Sequence, residues 1–219
     1  MEHLQQQLSL LEQIFQQNSY GGAAANTDYE VLVGTGKVMI SMPHTTNHIR
    51  NGKVKYGEVL TGAIGLYLHQ TTGCHCIYTK KRPLEDPNYD RPSHYKNELE
   101  QFINKHEVGL LIDLHGAALK WFFSVDLGTA NGQTIASDKL KRMVTLFEEQ
   151  GITDVVVDEV FTAKNIATVT NYIHKQCDID CVQIEINRSY RDLENMASTE
   201  KMVKALQKII MEFISDETI

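Results

Sequence analysis

The sequence has no long apolar run and no cluster of basic residues. No apolar stretch approaches the roughly 20 residues that a helix needs to cross a bilayer. The N-terminal segment MEHLQQQLSL lacks the basic region and apolar core of a secretory signal. The net charge is −7, and no basic run of the kind that follows nucleic-acid phosphates is present. We therefore expect a cytoplasmic protein with no membrane or nucleic-acid partner.

Cysteine is also scarce. The four cysteines form two close pairs, Cys74 with Cys76 and Cys177 with Cys181. In an intracellular chain of this size they indicate thiols and not a disulfide framework. A CxC pair with a CxxxC pair could hold a structural zinc ion. However, Cys74 and Cys76 lie in the strand-like run CHCIYT, and Cys181 begins another, so we interpret them as small buried residues.

Strand-like and helix-like segments alternate along most of the chain. The runs CHCIYT, VGLLIDL, WFFSVDLG, TDVVVDEVF and CVQIEIN predict strands. GEVLTGAIGLYLHQ, HYKNELEQFINKH, SDKLKRMVTLFEEQ and STEKMVKALQKIIMEFI predict helices, the third with Ser137 as its N-cap. Such alternation predicts a three-layer α/β/α fold whose mixed, mainly parallel sheet is covered on both faces. The composition, 42% hydrophobic and 22% charged, suits one domain over residues 1–219.

Three local patterns add detail to this prediction. Apolar residues at helical spacing predict an amphipathic helix over residues 3–17, which is followed by a linker to residue 25. Its apolar stripe could pack on its own domain, which we favour, or on a second subunit in a homo-oligomer. The β-branched runs on either side of Gly34 and Gly36 predict a hairpin. Trp121 begins the apolar run WFFSVDLG and is expected in the core.

Ionisable side chains stand where several predicted strands end. In open α/β sheets, ligands bind outside the carboxyl ends of the strands. Packing gives no reason for charged groups to favour that edge, so we expect a functional site there. Another acid, Glu58, lies near a predicted helix start. The groups at the strand ends are His44 after VMISM, Arg82 after CIYT, Asp113 and His115 in GLLIDLH, and Glu185 in VQIEIN.

These groups match the requirements of a mononuclear zinc hydrolase. Two histidines and a carboxylate hold zinc and leave one position for water, and the candidates are His44, Glu58 and His115. Glu185 can then take a proton from that water. Arg82 is the candidate that stabilises the oxyanion.

Other polar residues can support such a site. Asp113 can accept the second N–H of a ligating imidazole, although the sequence leaves open which imidazole that is. Four arginines compete for two tasks, binding the oxyanion and binding a substrate carboxylate. These arginines are Arg82, Arg91, Arg188 and Arg191.

The order of these motifs resembles a known family. SMPHTTNHI, then Glu58, LLIDLHGA and VQIEINRSY are similar to the N-formylglutamate amidohydrolases, a branch of the zinc-carboxypeptidase-like hydrolases. The resemblance spans residues 37–190. It implies a zinc-peptidase type of fold and one zinc ion held by His44, Glu58 and His115, with Glu185 as general acid and base.

The resemblance also bears on the substrate. The loop from Asp86 to Arg91 is similar to a segment of the wider group that binds a substrate carboxylate, which implies roles for Asn88 and Arg91. Arg188 is a third candidate for this contact. Thr45 follows His44, where the family has a small residue and then glycine. The expected substrate is therefore either a small N-acyl amino acid or a short peptide with a free carboxylate.

Two other functions fit parts of the sequence. Asp113-Leu114-His115-Gly116 resembles the opening metal motif of metallophosphoesterases, but those enzymes need two metals. Their later Gly-Asp and Asn-His pairs do not follow here, which argues against this function. The second alternative is a binding domain that retains the fold and has lost the metal. Zinc content separates that alternative from a hydrolase.

Overall fold

The computed structural model describes residues 1–215, which fold around one seven-stranded sheet. A separate two-stranded ribbon is formed by β3 and β4, and a 3₁₀ turn, Arg188–Tyr190, follows β9. The strands are β1 (Tyr29–Leu32), β2 (Val38–Met42), β3 (His48–Arg50), β4 (Lys53–Lys55), β5 (His75–Thr79), β6 (Leu110–Ala117), β7 (Val125–Gly128), β8 (Val155–Val157) and β9 (Asp180–Asn187). The helices are α1 (Glu2–Tyr20), α2 (Thr61–Thr72), α3 (His94–His106), α4 (Ser137–Glu149), α5 (Val169–Cys177) and α6 (Met196–Phe213).

The large sheet is mixed and mainly parallel, as the sequence predicts. Its strand order is β1-β5-β2-β6-β9-β7-β8. Strand β2 is parallel to β5 and β6, β6 is parallel to β9, and β7 is parallel to β8. Antiparallel pairing occurs between β1 and β5 and between β7 and β9. The carboxyl ends of β2, β6 and β9 therefore lie side by side in the middle of the sheet.

Helices cover both faces, which confirms the three-layer architecture. On one face, alternate residues of the central strands pack with α1, α2, α4 and α6. On the other face, the intervening residues pack with α3 and α5. In β6, Ile112 and Leu114 belong to the first face, whereas Leu111 belongs to the second. Since side chains alternate along a strand, Asp113 and His115 lie on the same face as Leu111.

The N-terminal helix packs on its own domain. Leu8 and Phe15 of α1 are buried, and the Phe15 ring meets the edge of Tyr78 with 5.6 Å between centroids. Gly62 of α2 lets this ring approach, because a Cβ atom at Gly62 would overlap it. The predicted amphipathic helix is thus present. Association with a second subunit stays a prediction.

Three local predictions were wrong. Strand β1 pairs with β5 and not with β2, so residues 33–37 form no hairpin. The backbone of this segment instead bonds to distant groups, including Gly34 N–H to His75 Nδ1 at 2.9 Å. Ala136 is the N-cap of α4, and Ser137 is its first helical residue. Trp121 precedes β7 and is half-buried at the protein surface.

The sequence predicts free cysteine thiols and no membrane-spanning helix. All four cysteines are free thiols, and three of them, Cys74, Cys76 and Cys181, are buried. Across the described range, no helix combines the length and apolarity required to cross a membrane.

Candidate metal centre

The Glu58 carboxylate lies between the imidazoles of His44 and His115. Its Oε1 atom is 2.9 Å from His44 Nδ1, and its Oε2 atom is 3.4 Å from His115 Nδ1. Both histidines are buried, whereas the Glu58 side chain is 20% exposed. One ligand atom from each residue lies within 4.8 Å of the others. The structure therefore brings the three predicted zinc ligands together in a cluster with one open side.

Each imidazole has a buried aspartate at its other nitrogen. His44 Nε2 is 2.9 Å from Asp86 Oδ1, and His115 Nε2 is 3.1 Å from Asp113 Oδ2. Both aspartates are completely buried. A carboxylate at Nε2 holds the ring proton there and leaves the Nδ1 lone pair facing Glu58. Asp113 therefore orients His115, and Asp86 does the same for His44.

The donor set fits a metal ion. When the Nε2 protons face the aspartates, neutral imidazoles and an ionised Glu58 present only lone pairs to one another. Such a cluster is stable with extra protons on the rings or with a cation between the ligands. Two imidazole nitrogens and one carboxylate are a known zinc ligand set that leaves a coordination position for water. His44, Glu58 and His115 would hold that ion.

The charges within the cluster shift its pKa values strongly. Burial alone would lower the pKa of His44, but Glu58 and Asp86 raise it to about 9. Burial also disfavours the charged form of His115, yet Asp113 and Glu58 hold its pKa well above the usual value. Burial would raise the pKa of Glu58, but His44 and His115 keep it far below its ordinary range. The cluster thus favours an ionised carboxylate next to positive charge, a role that a metal ion fills by displacing protons.

His48 lies next to this cluster and shares one of its aspartates. Its Nε2 atom is 3.1 Å from Asp86 Oδ2, and its ring stacks on His44 with 4.1 Å between centroids. His44, His48 and Asp86 also offer ligand atoms close enough for a metal. However, Asp86 already contacts both histidines and accepts a hydrogen bond from Arg50 Nε. We interpret Asp86 as an orienting group, and His48 as a non-ligand stays a prediction.

Backbone contacts bring the ligand-bearing segments together. The N–H of Glu58 donates to the His44 carbonyl at 2.8 Å, although the two residues lie on different segments. The N–H of Gly116, directly after His115, donates to Glu58 Oε2 at 2.9 Å. The turn after β2 is fixed by Thr45, whose hydroxyl is 2.8 Å from that of Thr79 at the end of β5. The threonine after His44 therefore has a structural role.

Glu185 stands next to the cluster on β9. It is the register partner of His115 on β6 and is 5% exposed. Burial raises its pKa to about 7, although the nearby His115 imidazole acts in the opposite direction. Gln183 Nε2 donates to its Oε1 at 3.1 Å. A carboxyl group with this pKa can both take up and release a proton near neutral pH.

These residues form the floor of an open cleft of about 530 Å³. The loops that follow β6 and β8 and the two-stranded ribbon of β3 and β4 surround it. Trp121 and Phe161 supply aromatic surface, with 5.8 Å between their ring centroids. The remaining lining includes three cationic residues, Arg50, Lys120 and Lys164. The cleft is therefore acidic at its floor and basic at its rim.

The predicted arginines do not lie in this cleft. Arg82 lines a separate pocket with Gly21 and Gly22, so its expected oxyanion contact has no support in this arrangement. The Arg91 guanidinium lies 5.2 Å from the Tyr172 ring centroid, away from the cluster. Arg188 donates to the carbonyl of Arg191. Arg82 and Arg188 were expected at the site because each follows a strand end, and Arg91 because its loop resembles a substrate-binding segment, but their side chains turn elsewhere.

Asn88 does reach the cleft, but its amide is largely engaged. Its Oδ1 accepts the N–H of Val169 at 2.8 Å, and its Nδ2 lies 3.5 Å from Gln183 Oε1. Asp86 as an orienting group, the cationic rim and the position of Trp121 at the cleft were not predicted from the sequence. Lys120 could have been found, because it closely follows the carboxyl end of β6. Lys164 lies in the long loop between β8 and α5, which gives no such signal.

Comparison with known proteins finds the same fold in several solved structures. No protein-family model and no curated protein matches the sequence. An N-formylglutamate amidohydrolase from Ralstonia eutropha JMP134 superposes with a TM-score of 0.65 at 14% identity, over 85% of this chain and 98% of that chain. The chain has the N-formylglutamate amidohydrolase fold. This confirms the fold that the sequence resemblance implies.

Two further solved structures share this fold. A bacteriophage poly-γ-glutamate hydrolase matches with a TM-score of 0.54 at 16% identity, over 87% of this chain and 89% of that chain. A gene product of Agrobacterium tumefaciens matches with a TM-score of 0.58 at 13% identity, over 84% of this chain and 95% of that chain. At these identities the likeness concerns the fold alone.

Proposed function

We propose that this protein is a zinc-dependent amidohydrolase that cleaves the amide bond of a small N-acyl amino acid or short peptide bearing a free carboxylate. One observation carries the proposal. His44 and His115 direct Nδ1 toward Glu58, and a buried aspartate holds each Nε2. Burying two carboxylate–histidine contacts around a third carboxylate lowers the stability of the folded protein when no ion is bound. Such an arrangement is typical of a metal site.

The chain's own residues would divide the work around the metal. A zinc ion held by His44, Glu58 and His115 would supply Lewis acidity and lower the pKa of a bound water. Glu185 would accept the proton of the attacking water and return it to the leaving amine. Its pKa of about 7 suits both transfers. The walls of the cleft position the substrate over these groups.

The rim of the cleft supports an anionic substrate. Lys120 and Lys164 are exposed, and within the described chain neither has an ion-pair partner. The whole chain carries a net charge of −7, so this local excess of positive charge stands out. Two similar structures carry glutamate compounds in their names. A carboxylate-bearing substrate, such as a glutamate derivative, suits this rim.

A substrate panel tests the proposal. Zinc-loaded protein should hydrolyse N-formylglutamate or a glutamyl peptide and should leave the matched glutamine compounds largely uncleaved. The Glu185→Gln variant is the control for contaminating activity. If the protein binds one equivalent of zinc but cleaves no acidic or neutral member of the panel, the amidohydrolase proposal fails. If it retains far less than one equivalent of metal, the alternative of a metal-free binding domain is favoured.

A further inference from the structure

A single buried arginine contacts the three segments that carry the candidate site. Arg191 is 3% exposed. Its Nε donates to the Ile186 carbonyl at 3.0 Å, and its Nη2 donates to the Ala117 carbonyl at 3.1 Å. Its Nη1 donates to the Val59 carbonyl. These carbonyls belong to β9, to β6 and to the turn before α2.

Each of these carbonyls lies next to a residue of the site. Val59 directly follows Glu58, Ile186 directly follows Glu185, and Ala117 is two residues after His115. Five N–H donors in a rigid plane allow one guanidinium to bind several carbonyls at fixed angles. Arg191 therefore links the backbones beside two proposed ligands and the proposed base.

Gly116 makes this arrangement possible. A Cβ atom at position 116 would overlap the Arg191 guanidinium, so only glycine lets the side chain lie against the end of β6. The N–H of the same glycine donates to Glu58 Oε2 at 2.9 Å. Gly116 thus contacts the arginine on one side and a proposed metal ligand on the other.

The turn that carries Glu58 needs external support. Leu60 has a left-handed backbone with φ +68°, which is unfavourable for a leucine. Glu12 of α1 accepts the Leu60 N–H at 2.9 Å from one side, and Arg191 binds the Val59 carbonyl from the other. Leu60 is also the N-cap of α2 and provides no side-chain cap. The position of Glu58 therefore depends on contacts from distant parts of the chain.

The charge of Arg191 has no close counterion. Its guanidinium bonds only to backbone carbonyls in residues 1–215 and forms no ion pair there. Burial lowers its pKa to about 10, and Glu58, Glu185 and Glu12 act on it only from a distance. Burying a charge in this way is costly, and an apolar side chain would avoid that cost. The geometry gives a reason for keeping the arginine.

We propose that Arg191 is a positioning residue of the metal centre, which fixes Glu58, His115 and Glu185 relative to one another through their backbones. This inference rests on the proposed function, since it concerns the same site. Arg191 does not line the cleft, so we assign it no contact with substrate. Its effect is expected on metal affinity before any effect on chemistry.

Zinc affinity of the Arg191→Lys variant tests this inference. Lysine keeps the charge but has a single donor head, which cannot bind three carbonyls at once. In competition with a chromophoric chelator, the folded variant should bind zinc about 10-fold or more weakly than wild type, the scale for groups that orient metal ligands. A folded variant that binds zinc as tightly as wild type would overturn the inference.

Lys96→Met provides a matched control. Lys96 is also a buried cation, 1% exposed, whose Nζ donates to the carbonyls of Asp90 and Ala167, away from the three site segments. Urea unfolding would show how much stability each variant loses. If Lys96→Met weakened zinc binding as much as Arg191→Lys at a similar loss of stability, general destabilisation would explain the effect and the positioning role would be rejected.

Hydrogen exchange gives a readout that needs no metal. In zinc-free protein, amides of residues 56–62 and 114–119 should exchange faster in Arg191→Lys than in wild type or Lys96→Met. Unchanged exchange would contradict the inference. Wild-type protein that retained no zinc would instead disprove the proposed function, and the exchange result would still show whether Arg191 holds these segments.

Discussion

His115 and Glu185 are register partners on the adjacent parallel strands β6 and β9. Paired residues of neighbouring strands point to the same face of the sheet, so the proposed ligand and the proposed base are placed side by side by backbone hydrogen bonds. A slip of one residue between the strands would send one of them to the opposite face. The relation between metal and base is thus a property of the sheet, whereas Glu58 depends on a turn and its contacts.

Replacing His115 should remove the metal. We expect His115→Ala to lose both zinc and activity, because one of the three proposed protein ligands is gone. Metal content after dialysis, measured by mass spectrometry, checks this. His3→Ala, which changes an exposed histidine in α1, should retain wild-type zinc. Full metal content in His115→Ala would mean that the ion binds elsewhere.

Replacing Glu185 should separate metal binding from chemistry. Glu185→Gln keeps the size of the side chain and removes the proton acceptor. Activity should fall by about 100-fold or more, the range of general-base effects, while zinc content stays at the wild-type value. Parallel measurements of kcat and of bound zinc test this. Loss of zinc would show that Glu185 is a ligand and that the assignment of ligand and base has to be exchanged.

Three of the site residues that the sequence predicts lie on regular structure. His115, Asp113 and Glu185 occur in β6 and β9, whose apolar alternation fixes which side chains face which way. The hairpin prediction failed because β5, far along the chain, inserts between β1 and β2. Strand order depends on contacts between distant segments, which a local pattern does not contain.

The residues that the sequence did not reveal reach the site from loops. Asp86 and Lys164 lie in loops whose path depends on tertiary contacts, so their spacing from His44 in the sequence carries no signal. Arg82 and Arg91 were expected at the cleft but lie outside it, because they too stand outside helices and strands, where the direction of a side chain depends on tertiary contacts. Side chains on strands or close to their ends could be predicted, whereas the loop residues Asp86 and Lys164 could be assigned only from the structure.

The buried aspartates should tune metal affinity without binding the metal. Asp113 accepts from Ser41 Oγ at 2.9 Å and lies 3.1 Å from His115 Nε2, so its position is fixed from two sides. Asp113→Asn should weaken zinc binding by about 10-fold to 100-fold, the range for groups that orient a ligating histidine. Chelator competition measures this affinity. An unchanged dissociation constant would remove Asp113 from the site.

His48 allows the two candidate metal positions to be distinguished. If the ion binds between His44, Glu58 and His115, His48→Ala should keep one equivalent of zinc, because the Nδ1 lone pairs remain. If the ion binds between His44, His48 and Asp86, the same variant should lose it. Zinc stoichiometry of the purified His48→Ala protein decides between these positions.

The cationic rim should affect substrate affinity and not the chemical step. Lys120 and Lys164 line the cleft without ion-pair partners within residues 1–215. Lys120→Ala and Lys164→Ala should raise KM for a carboxylate-bearing substrate, with kcat and zinc content nearly unchanged. Added salt should raise the wild-type KM as well, since exposed charges are screened. An unaltered KM in both variants would exclude these two lysines from substrate binding.

The metal-free protein should become less stable as Glu185 ionises. Burial raises its pKa in the folded protein to about 7, above the ordinary value of 4.5. A raised carboxyl pKa means that the folded state binds the proton more tightly, so this stabilising contribution is complete below pH 4.5 and is lost as pH rises through 7. Glutamine mimics the protonated carboxyl at every pH. Glu185→Gln should therefore gain stability over wild type across this range, by on the order of 3 kcal/mol at most.

Urea unfolding in the presence of a chelator, between about pH 5 and pH 8, measures this difference. His44 and His115 are present in both proteins, so the difference between the two curves reports the Glu185 carboxyl together with its interaction with these imidazoles. Glu200→Gln is a control whose stability difference should stay constant in this window, because Lys204 lowers the pKa of Glu200 and its contribution is lost only below pH 4.5. The stability difference between wild type and Glu185→Gln could instead stay constant with pH. This would show that the Glu185 carboxyl keeps its ordinary pKa in the metal-free protein. Its ability to act as a base at neutral pH would then arise only when the metal is bound.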